Sequence, residues 1–162
     1  MKEIDWPSPC GYTVFCDDIR QEVSGKHSLI GAYTGVLLIN GTFPFTLPKF
    51  AMYVVYTERP GSDVPTRTLK VFFPGEDDNK PRVSAELPPF PKDAPEAGET
   101  VGPDPRTLIT LPIILGPTKF KEKGRIRVRM FRGEEVIKLG ALSVDTNPDF
   151  DGKANQDTSP SD

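Results

Sequence analysis

His27 is the only histidine in this chain, and Cys10 and Cys16 are the only cysteines. A paired-histidine metal site is therefore excluded, and a zinc ion would have to recruit both cysteines or carboxylates. The cysteines lie six positions apart, so on one strand they share a face about 20 Å apart, too far for a disulfide. Cys16 reads as a small core residue; Cys10, between Pro9 and Gly11, reads as exposed. No Gly-x-Ser-x-Gly elbow is present to expose a nucleophile, and neither glycine-rich phosphate motif occurs. The usual equipment of an enzyme is missing, and no cofactor is expected.

Helical windows are lacking too. With 18 prolines and 14 glycines, the chain offers no long stretch that keeps a helical period, which favours many short strands. No run of about 18 apolar residues exists to span a bilayer. Met1 to Pro9 carries Lys2, Glu3 and Asp5 where a secretory leader needs an apolar stretch. These absences point to a soluble protein of the reducing cytoplasm. Nor is there a large excess of either charge. The net charge is -3, and from Asp145 onward five Asp and one Lys sum to -4, so the remainder sums to about +1. Such a balance does not suit a protein that neutralises the phosphates of a duplex, so no specific nucleic-acid partner is expected.

What the chain does contain is strand pattern. From Arg125 to Met130 charged and apolar residues alternate, which predicts one wet and one buried face, with Ile126, Val128 and Met130 inward. Arg132-Gly133-Glu134 interrupts the alternation, and Val136 to Val144 supplies a return strand, so the pair reads as a hairpin whose glycine takes a positive φ. Such a hairpin needs a second layer over its apolar face. Tyr12–Ile19, Phe50–Thr57, Arg67–Phe73, Arg82–Leu87 and Thr107–Leu115 read as further strands. Phe50–Thr57 is apolar on both faces, as a central strand would be. Pro112 puts Thr107–Leu115 at an edge or a bend.

His27 to Tyr33 and Val36 to Ile39 read as another hairpin. Thr42 to Lys49, broken by Pro44 and Pro48, reads as an extended crossing segment. The expected fold is all-β: a two-layer antiparallel β-sandwich of about eight strands, Ig-like or C2-like, with a barrel as the alternative. Residues 1–146 form one domain with a long Pro-rich loop at 88–106, mobile or functional, and 147–162 form a disordered acidic tail.

Two sets of residues could carry chemistry. Asp17 and Asp18 with Glu22, and Glu76 with Asp77 and Asp78, resemble the carboxylate supply of a calcium site on a C2-type domain. Asp17 and Asp18 would however point to opposite faces, and Glu76 to Asn79 has turn composition. The second set is the row Arg125, Arg127 and Arg129, extended by Arg132, which suits an anionic partner through bidentate contacts. A wet sheet face balanced by glutamates on the neighbouring strand would look the same, and no aromatics are expected to interleave these arginines, which argues against a single-strand nucleic-acid platform.

Three stretches together resemble a known family. They are Phe15-Cys-Asp-Asp-Ile-Arg-Gln-Glu-Val-Ser-Gly-Lys-His-Ser-Leu-Ile-Gly-Ala-Tyr33, Phe43-Pro-Phe-Thr-Leu-Pro-Lys49, and Gly124 through the Arg132-Gly-Glu-Glu turn. The family is one of uncharacterised small bacterial or phage proteins. His27 and Arg125 depart from its pattern, which usually has an apolar residue and a tyrosine there. The resemblance implies a sandwich and brings no activity and no catalytic residue. The expected function is a non-catalytic binding or assembly module with a protein partner, through the 88–106 loop or a sheet edge, as a monomer or weak dimer. A calcium-dependent or small-ligand-binding C2-like domain is the alternative, and an unrecognised enzyme the third.

Overall fold

In the computed structural model of this chain the described residues are 7–59, 66–77, 79–88 and 106–150. The expectations for the loop interior, for the tail beyond residue 150 and for Asp78 lie outside them.

The alternating stretch behaves as its period requires: Ile126, Val128 and Met130 are fully buried. They belong to one of twelve strands among the described residues. In chain order these are β1 (Cys10–Cys16), β2 (Asp18–Gln21), β3 (His27–Ile30), β4 (Val36–Ile39), β5 (Phe45–Leu47) and β6 (Phe50–Glu58), followed by β7 (Arg67–Phe72), β8 (Val83–Leu87), β9 (Thr107–Leu115), β10 (Thr118–Phe120), β11 (Gly124–Arg132) and β12 (Glu135–Thr146). No helix among the described residues is long and apolar enough to cross a membrane.

Two sheets form the sandwich. One has the order β1-β6-β9, the other β4-β12-β11-β7-β8. Period-two alternation sends Phe50, Met52, Val54 and Tyr56 of β6 into the space between them, where they meet Leu69 and Val71 of β7 and Ile126, Val128 and Met130 of β11. β9 adds Ile109, Leu111, Ile113 and Leu115 from the edge. Phe120 of β10 packs edge-on to Phe50 at 5.8 Å and tilted on Phe73 at 5.5 Å, which seats the short β5-β10 pair against the core.

The hairpin of β11 and β12 turns at Gly133, whose φ of 58° is the left-handed geometry a side chain disfavours. Its register shifts after Val128, which opposes Gly140 while Arg129 opposes Lys138, leaving Leu139 as the extra residue of a bulge. Leu139 points into the core, and the bulge leans β12 onto β1. Gly11 of β1 permits that approach: a Cβ there would stand 2.2 Å from the Val55 carbonyl oxygen and 2.8 Å from Leu139.

Some pairings differ from expectation. β3 does not form a hairpin with β4; it pairs antiparallel with β2, and β4 runs parallel to β12. The short apolar run at Val36–Ile39 carries no signal of its partner, and its choice of β12 makes the larger sheet mixed. The strand read as Tyr12–Ile19 is broken at Asp17, so that β2 and β3 fold over the outer side of β6, burying Cys16, Ile19 and Ala51 with Leu29 and Tyr53 against them. That hairpin is why one end of β6 is covered on both faces.

Candidate functional site

The arginine row lies where its period puts it. Arg125, Arg127 and Arg129 stand on the outward face of β11, opposite the face that carries Ile126, Val128 and Met130. Register then shows what flanks them. Arg129 opposes Lys70 on β7 and Lys138 on β12; Arg127 opposes Phe72 and Ala141; Arg125 opposes Ser143. The neighbouring strands therefore supply lysines and aromatics where balancing glutamates were expected.

Phe131 continues the row, and Lys70 Nζ sits 4.5 Å from its ring centre, while the Arg127 guanidinium lies 5.4 Å from that of Phe72. Aromatics thus do interleave the cations, Phe131 from β11 itself and Phe72 from across the sheet. Arg129 is half-buried and donates to the carbonyls of Val128, at 2.9 Å, and Gly140, at 3.3 Å, bracing the bulge. Its burial, and secondarily the charge of Arg127, push its guanidinium below the ordinary value. Arg132 does not join the row. It turns inward, donating to Glu58 at 3.2 Å and to Glu135 at 2.8 Å.

The carboxylates do not assemble. Asp17 accepts a hydrogen bond from the Tyr33 hydroxyl, whose pKa is raised by burial and then by that bond. Asp18 is bridged by Lys49 at 3.1 Å and accepts from the Ile19 amide at 2.9 Å. The hydrogen bond from Lys49 is the first cause holding its carboxyl below the usual range. Glu22 accepts from the Ser28 hydroxyl, Glu76 pairs with Arg82, and Asp77 accepts from the Asn79 amide at 2.9 Å as a turn residue does. Among the described residues no three His, Cys, Asp or Glu come together to hold a cation.

A buried ionic cluster is the feature that sequence reasoning missed. Glu58 and Arg67 are each 2% exposed and paired at 2.7 Å. The Tyr56 hydroxyl also donates to Glu58 at 2.7 Å, and burial followed by this bond raises its pKa. Arg67 further donates to the carbonyl of Pro88 at 3.1 Å, where the Pro-rich stretch leaves the sheet. Parity was the available signal. Glu58 continues the inward set of β6, Arg67 that of β7 and Arg132 that of β11, each one step past the last apolar member. The cluster ties β6 of one sheet to β7 and β11 of the other, which is a structural task.

The outward face of the smaller sheet is of a different kind. Cys10 and Tyr12 of β1, Tyr53 and Val55 of β6, and Leu108 and Thr110 of β9 line an open groove of about 950 Å³ with Pro7, Arg106 and Ile137 at its rim. Leu108 is 62% exposed and Tyr12 57%. Cys10, read as exposed, is half-buried in this groove; Cys16, farther along the same strand, is buried, and both are free thiols. His27 packs its ring on Tyr53 at 5.4 Å, a packing role beside the β2-β3 hairpin.

Set against known proteins, residues 11–145 match a family of unknown function (DUF6941). No curated protein and no solved structure matches.

Proposed function

We propose, for a chain that belongs to the family of unknown function DUF6941, that it acts as a non-catalytic cytoplasmic binding module whose protein partner docks in the groove on the outward face of β1, β6 and β9. The observation that carries this reading is the exposure of Leu108 and Tyr12 in a groove whose surface is mostly apolar. Scattered apolar residues on a surface mean little, but a contiguous apolar concavity with aromatic walls is the usual seat of an interface anchor. β9 is the edge of its sheet among the described residues, so an extended segment could add main-chain hydrogen bonds beside the groove. The non-catalytic part is supported by the carboxylates and His27, which are engaged in packing, turns and ion pairs. The free thiols of Cys10 and Cys16 suit a reducing compartment.

A second reading places a small apolar ligand in the same groove, favoured by a volume within the range of ligand pockets. One experiment separates the two. Wild-type protein and Leu108→Glu are used to capture partners from the native host, with Glu134→Lys on the hairpin turn as control. A protein partner is retained by wild type and control and weakened at least about thirtyfold by Leu108→Glu, as loss of a hot-spot anchor implies. A small ligand instead raises the melting temperature of the purified protein with no larger complex formed. Identical capture by all three proteins would rule out the groove as the docking site.

A further inference from the structure

The outward face of the five-stranded sheet poses a separate problem. Lys70, Arg129 and Lys138 are directly opposed across β7, β11 and β12. Directly opposed residues on one face sit about 5 Å apart, where like charges are unfavourable. Arg127 and Arg125 follow along β11 at two-residue steps, about 7 Å each. Among the described residues, the carboxylates that register places on this face are Glu86 on β8, opposite Thr68, and Asp145 on β12, opposite Leu38, both toward the sides of the sheet. Glu76 and Glu122 lie in a cleft at the far end with Arg125 and Arg127. The centre of the face is cationic.

Beside this centre lie exposed apolar side chains on the same face: Val136 at 52%, Leu38 at 48% and Val36 at 40%. Their orientation follows from register, since Val136 opposes Phe131, and Val36 and Leu38 pair with Ser143 and Asp145.

We infer that this face is a docking surface for an acidic polypeptide segment that also carries aliphatic residues, its carboxylates meeting Arg125 and Lys70 and its aliphatic side chains covering Val36, Leu38 and Val136. Charge complementarity selects an anion, and two observations select a polypeptide over a single-stranded nucleic acid. The rings of Phe72 and Phe131 are occupied by the protein's own Arg127 and Lys70, so bases have no free aromatic platform on which to stack. Those same ring contacts hold the two cations in place before a partner arrives, which lowers the ordering cost of binding. The aliphatic flank, in turn, gives a phosphodiester backbone nothing to bury. The inference is independent of the groove on the other sheet, although Lys138 lies where the two surfaces meet.

The test uses the full chain with two labelled probes of equal charge, a peptide joining a glutamate block to a leucine-valine block, and an oligouridylate. Fluorescence anisotropy is expected to show the peptide binding more tightly, with affinity falling as salt rises. Arg125→Glu/Lys70→Glu is expected to weaken it about tenfold or more, since two attractions become repulsions. Lys26→Glu, on the β2-β3 turn, leaves it unchanged. If the double reversal fails to fold, Arg125→Gln/Lys70→Gln is read in its place. Oligouridylate binding as tightly as the peptide, or peptide affinity indifferent to these substitutions, would overturn the inference.

Discussion

Glu58 and Arg67 show how a single residue's role depends on what faces it. A carboxylate closing an apolar strand looks like a boundary marker in the sequence, yet its parity carries it inward, where it accepts from Tyr56, Arg67 and Arg132. Arg67→Met leaves the buried Glu58 with Arg132, at 3.2 Å, as its remaining cation, and should destabilise the protein by about 3 kcal/mol, the low end for a broken buried pair. Chemical denaturation measures this, and the double substitution Glu58→Met/Arg67→Met should recover most of the loss; no recovery would mean that the cluster is not the origin of the cost. Asp18 offers a pH test. Its folded pKa is lowered, chiefly by the hydrogen bond from Lys49, from an ordinary value of 3.8. A depressed carboxyl contributes stability that is fully present above the unfolded pKa and is lost as pH falls through the folded one. Asp18→Asn should therefore flatten the fall in melting temperature below about pH 4 relative to wild type. Parallel acid profiles for the two proteins would reject this assignment.

At the scale of elements, apolar pattern located most strands. β11 lies where its alternation places it, because a sheet with one wet face imposes a period of two, β12 lies where the return of that hairpin is expected, and β4, β6 and β9 lie where short apolar runs place them. Partners were less legible. β4 is too short to declare its neighbour, and nothing in Val36–Ile39 distinguishes the antiparallel return to β3 from the parallel place beside β12. β10 carries no signal of its own, and β5 is legible only as part of the extended Thr42–Lys49 segment, because three-residue strands with proline nearby have no periodic pattern. The bulge at Leu139 was equally silent, although it decides how β12 leans onto β1. Gly11 tests that contact directly. Its neighbours leave no room for a methyl group, because the Val55 carbonyl belongs to the paired strand and cannot rotate away. Gly11→Ala should cost at least about 2 kcal/mol through overpacking. A melting temperature within a degree or two of wild type would show that the two strands are not held as closely as described.

On the scale of the whole molecule, the two sheets bury their inner faces against each other and leave two unlike outer faces, one an apolar groove and the other cationic with an aliphatic flank. If each face receives its own partner, Leu108→Glu and the reversals at Arg125 and Lys70 should act independently, since the substituted residues lie on different sheets and separated positions are close to additive. The amino-acid sequence by itself determined that the chain would be all-β, that Ile126, Val128 and Met130 would be inside, and that Arg125, Arg127 and Arg129 would share a wet face, because these follow from local period alone. Tertiary structure decided which strands adjoin. Register across strands set Lys70, Lys138 and Phe72 around the arginines in place of glutamates, and the packed fold drew Arg132 inward to Glu58, parted Asp17 and Asp18 onto Tyr33 and Lys49, and opened the groove over Tyr12 and Leu108. These outcomes depend on residues far apart in the chain, and a period of two says which way a side chain points but nothing about what it will meet there.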